Sequence, residues 1–224
     1  MSTPVSKHIR LIAFVIISCI GLESGISQKK EDFTEEVALI SQKYEDLKES
    51  EQRSVVFTGS SSIRLWPGLE ESFPDHQIIN TGFGGSESKD LLKFIKPLIL
   101  DFRPEKVFIY EGDNDLEYRK SPSRVLKNTK KILKKVWEKF PDTEFVLIAA
   151  KPSPERWRLK RRFQRLNRKL EEYALKSERV EFANIWDIML MDEQLNESLF
   201  EEDGLHMNEK GYALWYEVLS KYIN

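Results

Sequence analysis

Residues 54–66 read SVVFTGSSSIRLW, and the order of chemistry within them sets the fold. Val55, Val56, Phe57 and Thr58 form a short β-favouring run that ends at Gly59 and three serines. Ile63, Leu65, Trp66 and Leu69 then return at helical spacing. A compact apolar strand that turns on glycine into a helix is the opening of a βα unit. The same pattern repeats downstream, with apolar runs at 77–80 (QIIN), 106–110 (KVFIY), 144–149 (EFVLIA) and 179–183 (RVEFA). Helical stretches over about 88–100, 123–140 and 157–176 separate them, and a last one covers 208–222. Such alternation builds a parallel sheet covered on both faces, and nearly continuous apolar strands agree with burial on both sides. The expectation is one three-layer α/β/α domain over residues 54–224, around a five-stranded, mostly parallel sheet.

Upstream, Phe33, Val37, Leu39, Ile40, Tyr44 and Leu47 recur at helical spacing within 29–53 and predict an amphipathic helix ending near Arg53. Residues 1–28 read as a leader and tether. Lys7 and Arg10 precede an apolar run over 11–22, the pattern of an export signal. That run is shorter than the ~20 residues needed to span a bilayer. Ile16-Ile17-Ser18-Cys19 resembles the lipobox of bacterial lipoproteins, which makes Cys19 a candidate for lipidation. The expected location is therefore outside the cytoplasm: periplasmic, extracellular, or membrane-associated through the leader or a lipid anchor.

Composition narrows the chemistry. Of 224 residues, 40% are hydrophobic and 32% charged, with a formal net charge of -2, so there is no global pull toward nucleic acid. The basic run over 151–169, which includes Lys151, Arg156 and Arg158, reads first as the solvated face of a helix, with a patch for anionic headgroups or a polyanionic surface as the alternative. Lys151-Pro152-Ser153-Pro154, just after the fourth apolar run, is a candidate wall of an acyl pocket. A single cysteine excludes an internal disulfide and any multi-thiolate metal site, and three histidines make a histidine-rich metal centre unexpected. Trp66, Trp186 and Trp215 read as core or pocket lining. Composition leaves the oligomeric state open.

Ligands of an open parallel sheet bind beyond the carboxyl ends of its strands. The first three runs are followed there by Gly59-Ser60-Ser61-Ser62, by Gly82-Phe83-Gly84-Gly85-Ser86, and by Glu111-Gly112-Asp113-Asn114-Asp115. After the fifth comes Asp203-Gly204-Leu205-His206, just before the last helix. Hydroxyls, an amide, carboxylates and one imidazole thus gather at one rim, and acyl transfer is the chemistry they suit. A serine needs an adjacent base, usually a histidine oriented by a carboxylate. His8 lies in the leader and His76 precedes a strand, at the opposite end of the sheet, which leaves His206 with Asp203 three residues before it. The N–H groups of Ser61 and Gly85 and the amide of Asn114 are the natural donors for an oxyanion. Ile63 stands where the α/β-hydrolase elbow needs glycine, and no Gly-Lys-Ser/Thr loop is present.

Four blocks together resemble the SGNH, or GDSL-like, hydrolases: FTGSSSIRLW (57–66), NTGFGGS (80–86), YEGDNDL (110–116) and DGLHMNEKGY (203–212). Carried over by position, the family's defining residues are Ser61, Gly85, Asn114 and His206, with Asp203 as the triad acid. The first block departs from Gly-Asp-Ser-Leu, since Ser60 replaces the Asp. Its form GSSSIRLW is similar to a subgroup related to bacterial platelet-activating-factor-acetylhydrolase-like proteins. The Gly-x-Ser spacing points to Ser61 as nucleophile, leaving Ser60 and Ser62 as turn and cap residues. The resemblance implies a flavodoxin-like fold, no metal or organic cofactor, and hydrolysis of a small acyl ester such as a lysophospholipid, an acetylated sugar or a short acyl ester. Acyl transfer to a glycan, or lipid or carbohydrate binding without catalysis, are the alternatives on the same scaffold.

Overall fold

A computed structural model describes residues 32–48 and 50–223. In chain order the elements are α1 (Thr34–Lys43), β1 (Ser54–Gly59), α2 (Ser61–Arg64), β2 (Ile78–Gly82), α3 (Ser88–Lys93), α4 (Ile95–Leu98) and β3 (Pro104–Tyr110). They continue with α5 (Asp113–Glu117), α6 (Pro122–Trp137), β4 (Glu144–Ile148), α7 (Lys160–Ala174), β5 (Val180–Ala183), β6 (Leu190–Met191), β7 (Gln194–Leu195) and α8 (Glu209–Leu219). The five long strands form one sheet in the order β2-β1-β3-β4-β5, and every pair is parallel. The short pair β6–β7, antiparallel, was not anticipated from sequence.

Period-2 alternation explains why the strands are apolar throughout. Val56, Ile79, Val107, Ile109, Phe145 and Leu147 face one hydrophobic cluster with residues of α1, α3, α4, α6 and α7. Val55, Phe57, Ile78, Phe108, Val146 and Ile148 face a second cluster with Trp66, Leu69, Met189, Trp215 and Leu219. A fully buried side chain of this size contributes ~1.5–3 kcal/mol, so two such layers make a substantial core. The three tryptophans read from sequence as core are buried, at 5% or less exposure.

The helices depart from the expected lengths for local reasons. The helix opened by Ser61 stops at Arg64 instead of running through Leu69, because Pro67 and Gly68 follow. The stretch expected as one helix over 88–100 is broken at Phe94 into two short pieces and a 3-10 turn at Leu100–Phe102. Pro97 lacks the N–H that a continuous helix would use. The N-terminal helix ends at Lys43, well before Arg53, and a 3-10 turn at Glu45–Leu47 follows. Its Phe33, Val37 and Tyr44 are buried in the first cluster. No helix among the described residues is long and apolar enough to cross a membrane.

Candidate active site

The rim is assembled where β1 lies between β2 and β3. Gly59 pairs with Gly82 on one side and Tyr110 on the other, so the loops carrying Ser61, Gly85 and Asn114 leave adjacent strand ends. Gly59 takes φ +131°, and a Cβ there would stand 2.0 Å from the Tyr110 carbonyl oxygen. Only glycine permits this close approach. Ser60 then serves as N-cap residue of α2 without a side-chain cap bond, and Ser61 takes the first helical position. Ser62, expected to act as a cap, is buried, and its carbonyl accepts a 3.0 Å hydrogen bond from the Tyr212 hydroxyl.

That bond ties α8 to α2, and the packing of Trp66 on Tyr212 and Trp215 reinforces it, with ring centroids 5.5 and 5.9 Å apart. Just before α8 the chain doubles back. Phe200 and Met207 form an antiparallel bridge, and Glu201 N–H donates to the His206 carbonyl at 2.9 Å. Asp203 and His206 lie within this hairpin. His206 Nε2 is 2.9 Å from Ser61 Oγ, and His206 Nδ1 is 2.6 Å from Asp203 Oδ2. The other Asp203 oxygen accepts the N–H groups of Leu205 and His206 at 2.8 and 2.9 Å. Partial burial pushes the Asp203 carboxyl up, but the donors on His206 and Leu205 outweigh it and hold the group below the usual carboxylate range. Ser61, His206 and Asp203 thus form one hydrogen-bonded chain open to solvent, with the imidazole 27% exposed.

Gly85 and Asn114 meet through the residue between them. Asn114 Nδ2 donates to the Ser86 carbonyl at 3.0 Å, and Gly85 sits at φ +73°. Neither makes a hydrogen bond to Ser61. The N–H groups of Ser61 and Gly85 have no acceptor among the described residues. Asn114 Oδ1 accepts from Arg156 Nη2 at 3.0 Å, which settles the amide orientation and keeps Nδ2 as the donor.

Arg156 was expected only on the solvated face of a helix, whereas Lys151 was placed at the rim as pocket wall; neither lies on a solvated helix face. Their side chains are 11% and 0% exposed. Arg156 Nη1 pairs with Asp113 Oδ1 at 2.5 Å, and the Tyr110 hydroxyl donates to Asp113 Oδ2 at 3.0 Å. Lys151 Nζ lies 3.8 Å from Asp113 and donates to the Leu205 carbonyl at 2.6 Å, one residue before His206. Burial alone would raise the Asp113 carboxyl, but Lys151 and Arg156 hold it below the ordinary range. One buried carboxylate therefore braces Asn114 through Arg156 and the His206 hairpin through Lys151. The place of Lys151 just after β4 put it at the rim from sequence, but its bonds to Asp113 and the Leu205 carbonyl were not anticipated. Nearby, burial and the charge of Asp115 push the Glu111 carboxyl well up; it accepts from the Ser86 hydroxyl at 2.8 Å. Cys19 lies outside the described residues.

A model of the family described as GDSL-like lipase/acylhydrolase matches residues 54–214. Among solved structures, a Streptococcus pneumonia protein described as a candidate platelet activating factor aligns at 26% identity, over 85% of this chain and 94% of its own, with a TM-score of 0.73. A candidate acylhydrolase from Bacteroides fragilis aligns at 21% identity over 87% of this chain and 98% of its own, TM-score 0.73. A GDSL-like lipase from Bacteroides thetaiotaomicron aligns at 21% over 82% and 96%, TM-score 0.68. These last two show likeness of fold. No curated protein matches the chain.

Proposed function

Because this chain belongs to the GDSL-like lipase/acylhydrolase family, whose members hydrolyse esters, we propose that it is a serine esterase working through Ser61, His206 and Asp203. The observation that carries the reading is the hydrogen-bonded chain from Ser61 Oγ to Asp203, which joins residues 145 positions apart in the sequence. The Nδ1–H of His206 donates to Asp203 Oδ2, which leaves the Nε2 lone pair toward Ser61. As Ser61 Oγ bonds to the acyl carbon, its proton passes to Nε2 and the carbonyl oxygen becomes an oxyanion. The N–H groups of Ser61 and Gly85 and the Nδ2 of Asn114 are the donors for it. Collapse breaks the ester C–O bond, and the leaving alkoxide takes the proton from His206. Water then repeats the sequence, releasing the carboxylic acid and restoring the Ser61 hydroxyl.

The substrate we infer is a small acyl ester: a lysophospholipid, an acetylated sugar or a short acyl ester. The match over residues 54–214 to a family described as lipase/acylhydrolase supports that bond type. We also read residues 1–28 as an export leader, with Cys19 as its candidate lipid-bearing residue. A panel of p-nitrophenyl esters of increasing acyl length tests the reading, with wild type beside Ser61→Ala. The expected result is turnover of short esters that the variant lacks. Equal rates in the two proteins would end it.

A further inference from the structure

Charge is segregated across the sheet. Residues 119–169 hold eighteen Lys and Arg against four Asp and Glu, a net of +14 in a chain whose total is -2. Residues 181–219 hold ten acidic residues against one Lys. The first stretch contains α6 and α7, which pack side by side on one face of the sheet, and the second contains α8, on the other. Helical spacing sharpens the division. Val125, Ile132 and Val136 of α6 point inward, while Lys127, Lys130, Lys131 and Lys134 are exposed. On α7, Phe163, Leu166 and Leu170 are buried, and Arg161, Arg165 and Arg168 are exposed. Of these seven cations only Lys134 has an ion-pair partner among the described residues, Glu138 at 3.9 Å. A groove of about 430 Å³ runs along α6 between its four lysines, Ser123 and Leu126.

We propose that the α6/α7 face is a docking surface for an anionic lipid bilayer. A cluster of this size attracts acidic headgroups, each cation adding to the affinity within about one Debye length. The end of the chain points the same way. The described residues begin at Asp32, and Phe33 and Val37 pack into the same layer as α6 and α7. The first described residues therefore lie on the same side of the sheet as α6 and α7. Held this way, the acidic α8 face turns toward solvent, and the rim with Ser61 stands edge-on to the membrane. Nucleic acid fits the face less well: of these seven cations only Lys130 lies over an aromatic ring among the described residues, that of half-buried Tyr173 at 4.7 Å, which offers little for base stacking. A second copy docking its acidic face here would make a heterologous, head-to-tail contact rather than the commoner two-fold one.

The test is co-sedimentation of the full chain with vesicles of phosphatidylcholine alone, and with vesicles that also contain phosphatidylglycerol. Wild type is compared with the combined Lys127→Gln, Lys130→Gln, Lys131→Gln and Lys134→Gln variant. Binding to the phosphatidylglycerol vesicles should be at least ~10-fold tighter than to the neutral ones, and raising salt to about 0.5 M should abolish the difference. The variant should lose most of that preference while keeping wild-type turnover of a soluble p-nitrophenyl ester. That turnover separates a failure of the surface from a failure of the Ser61 reading, and the salt titration of wild type stands if the variant does not fold. Equal binding to both vesicle types, or an unchanged preference in the variant, would overturn the proposal. So would tighter capture by double-stranded DNA, or salt-sensitive self-association with no vesicle binding.

Discussion

Arg156 places the guanidinium that holds Asn114, and its effect on turnover should pass through that amide. Its fork pairs Asp113 and Asn114 at once, and a lysine cannot reproduce both bonds. Arg156→Lys and Arg156→Gln should each lower kcat roughly 10- to 100-fold with KM little changed. In an Asn114→Ala background the same substitutions should cost little more, which a double-mutant cycle on kcat measures. Additive losses would show that Arg156 does not act through Asn114. Asp115 gives a second reading, in stability. Burial pushes its carboxyl up to about 6, against the opposing N–H and hydroxyl of Ser88. The folded protein then keeps a proton that the unfolded chain releases at its ordinary value of ~3.9. Stability from this group is present below that value and is lost as pH rises through about 6, a difference of about 3 kcal/mol. Urea midpoints between pH 4 and 7 should fall with rising pH by this contribution, and Asp115→Asn should flatten that slope. The nucleophile, base and acid candidates were legible because glycine, serine, aspartate and histidine are unusual at strand ends. The rim position of Lys151 was legible too, but the burial of Lys151 and Arg156 around Asp113 was not, because lysine and arginine most often lie in water and their local sequence has no periodicity to turn them inward.

Among the elements, the five strands were readable to within a few residues, since short apolar runs between helical stretches, three of them closed by Gly59, Gly82 and Gly112, have few other uses. Their order in the sheet was not, because pairing between β1, β2 and β3 depends on long-range packing rather than on any local run. The helices were overextended where proline stood inside them, at Pro67 and Pro97. The last helix was read correctly from Asn208, whose side chain accepts from Lys210 and Gly211 N–H and donates to the Ser198 and Phe200 carbonyls. It caps α8 and closes the hairpin that holds Asp203 and His206. Asn208→Ala should therefore cost about 1–2 kcal/mol in urea denaturation and lower kcat through a misplaced imidazole. Loss of stability with kcat intact would confine Asn208 to the cap. Gly59→Ala should be far more damaging, since the Tyr110 carbonyl occupies the space its Cβ needs; absence of soluble protein or a collapsed thermal transition is the expected outcome.

For the whole molecule, one sheet separates two hydrophobic layers, two oppositely charged faces and one reactive rim. The layers and the rim follow from strand alternation and were legible. The basic run over 151–169 was visible, but its joining with the lysines of α6 and its opposition to the acidic stretch around α8 were not, because the stretches cancel to a net charge of -2 until the topology sends them to opposite sides. The leader is a property of sequence alone, and mass spectrometry of the N-terminal peptide after bacterial expression tests it. A lipid-bearing Cys19 is expected, whereas cleavage downstream of Cys19 would exclude that anchor. The central claim is that Ser61 attacks the acyl carbon. Its most direct measurement is labelling of the native protein with a serine-directed fluorophosphonate, followed by peptide mapping. The adduct should fall on Ser61 and be lost in both Ser61→Ala and His206→Ala, each with a kcat loss of ~10³-fold or more. An adduct on Ser60 or Ser62, or near-normal turnover by Ser61→Ala, would contradict it.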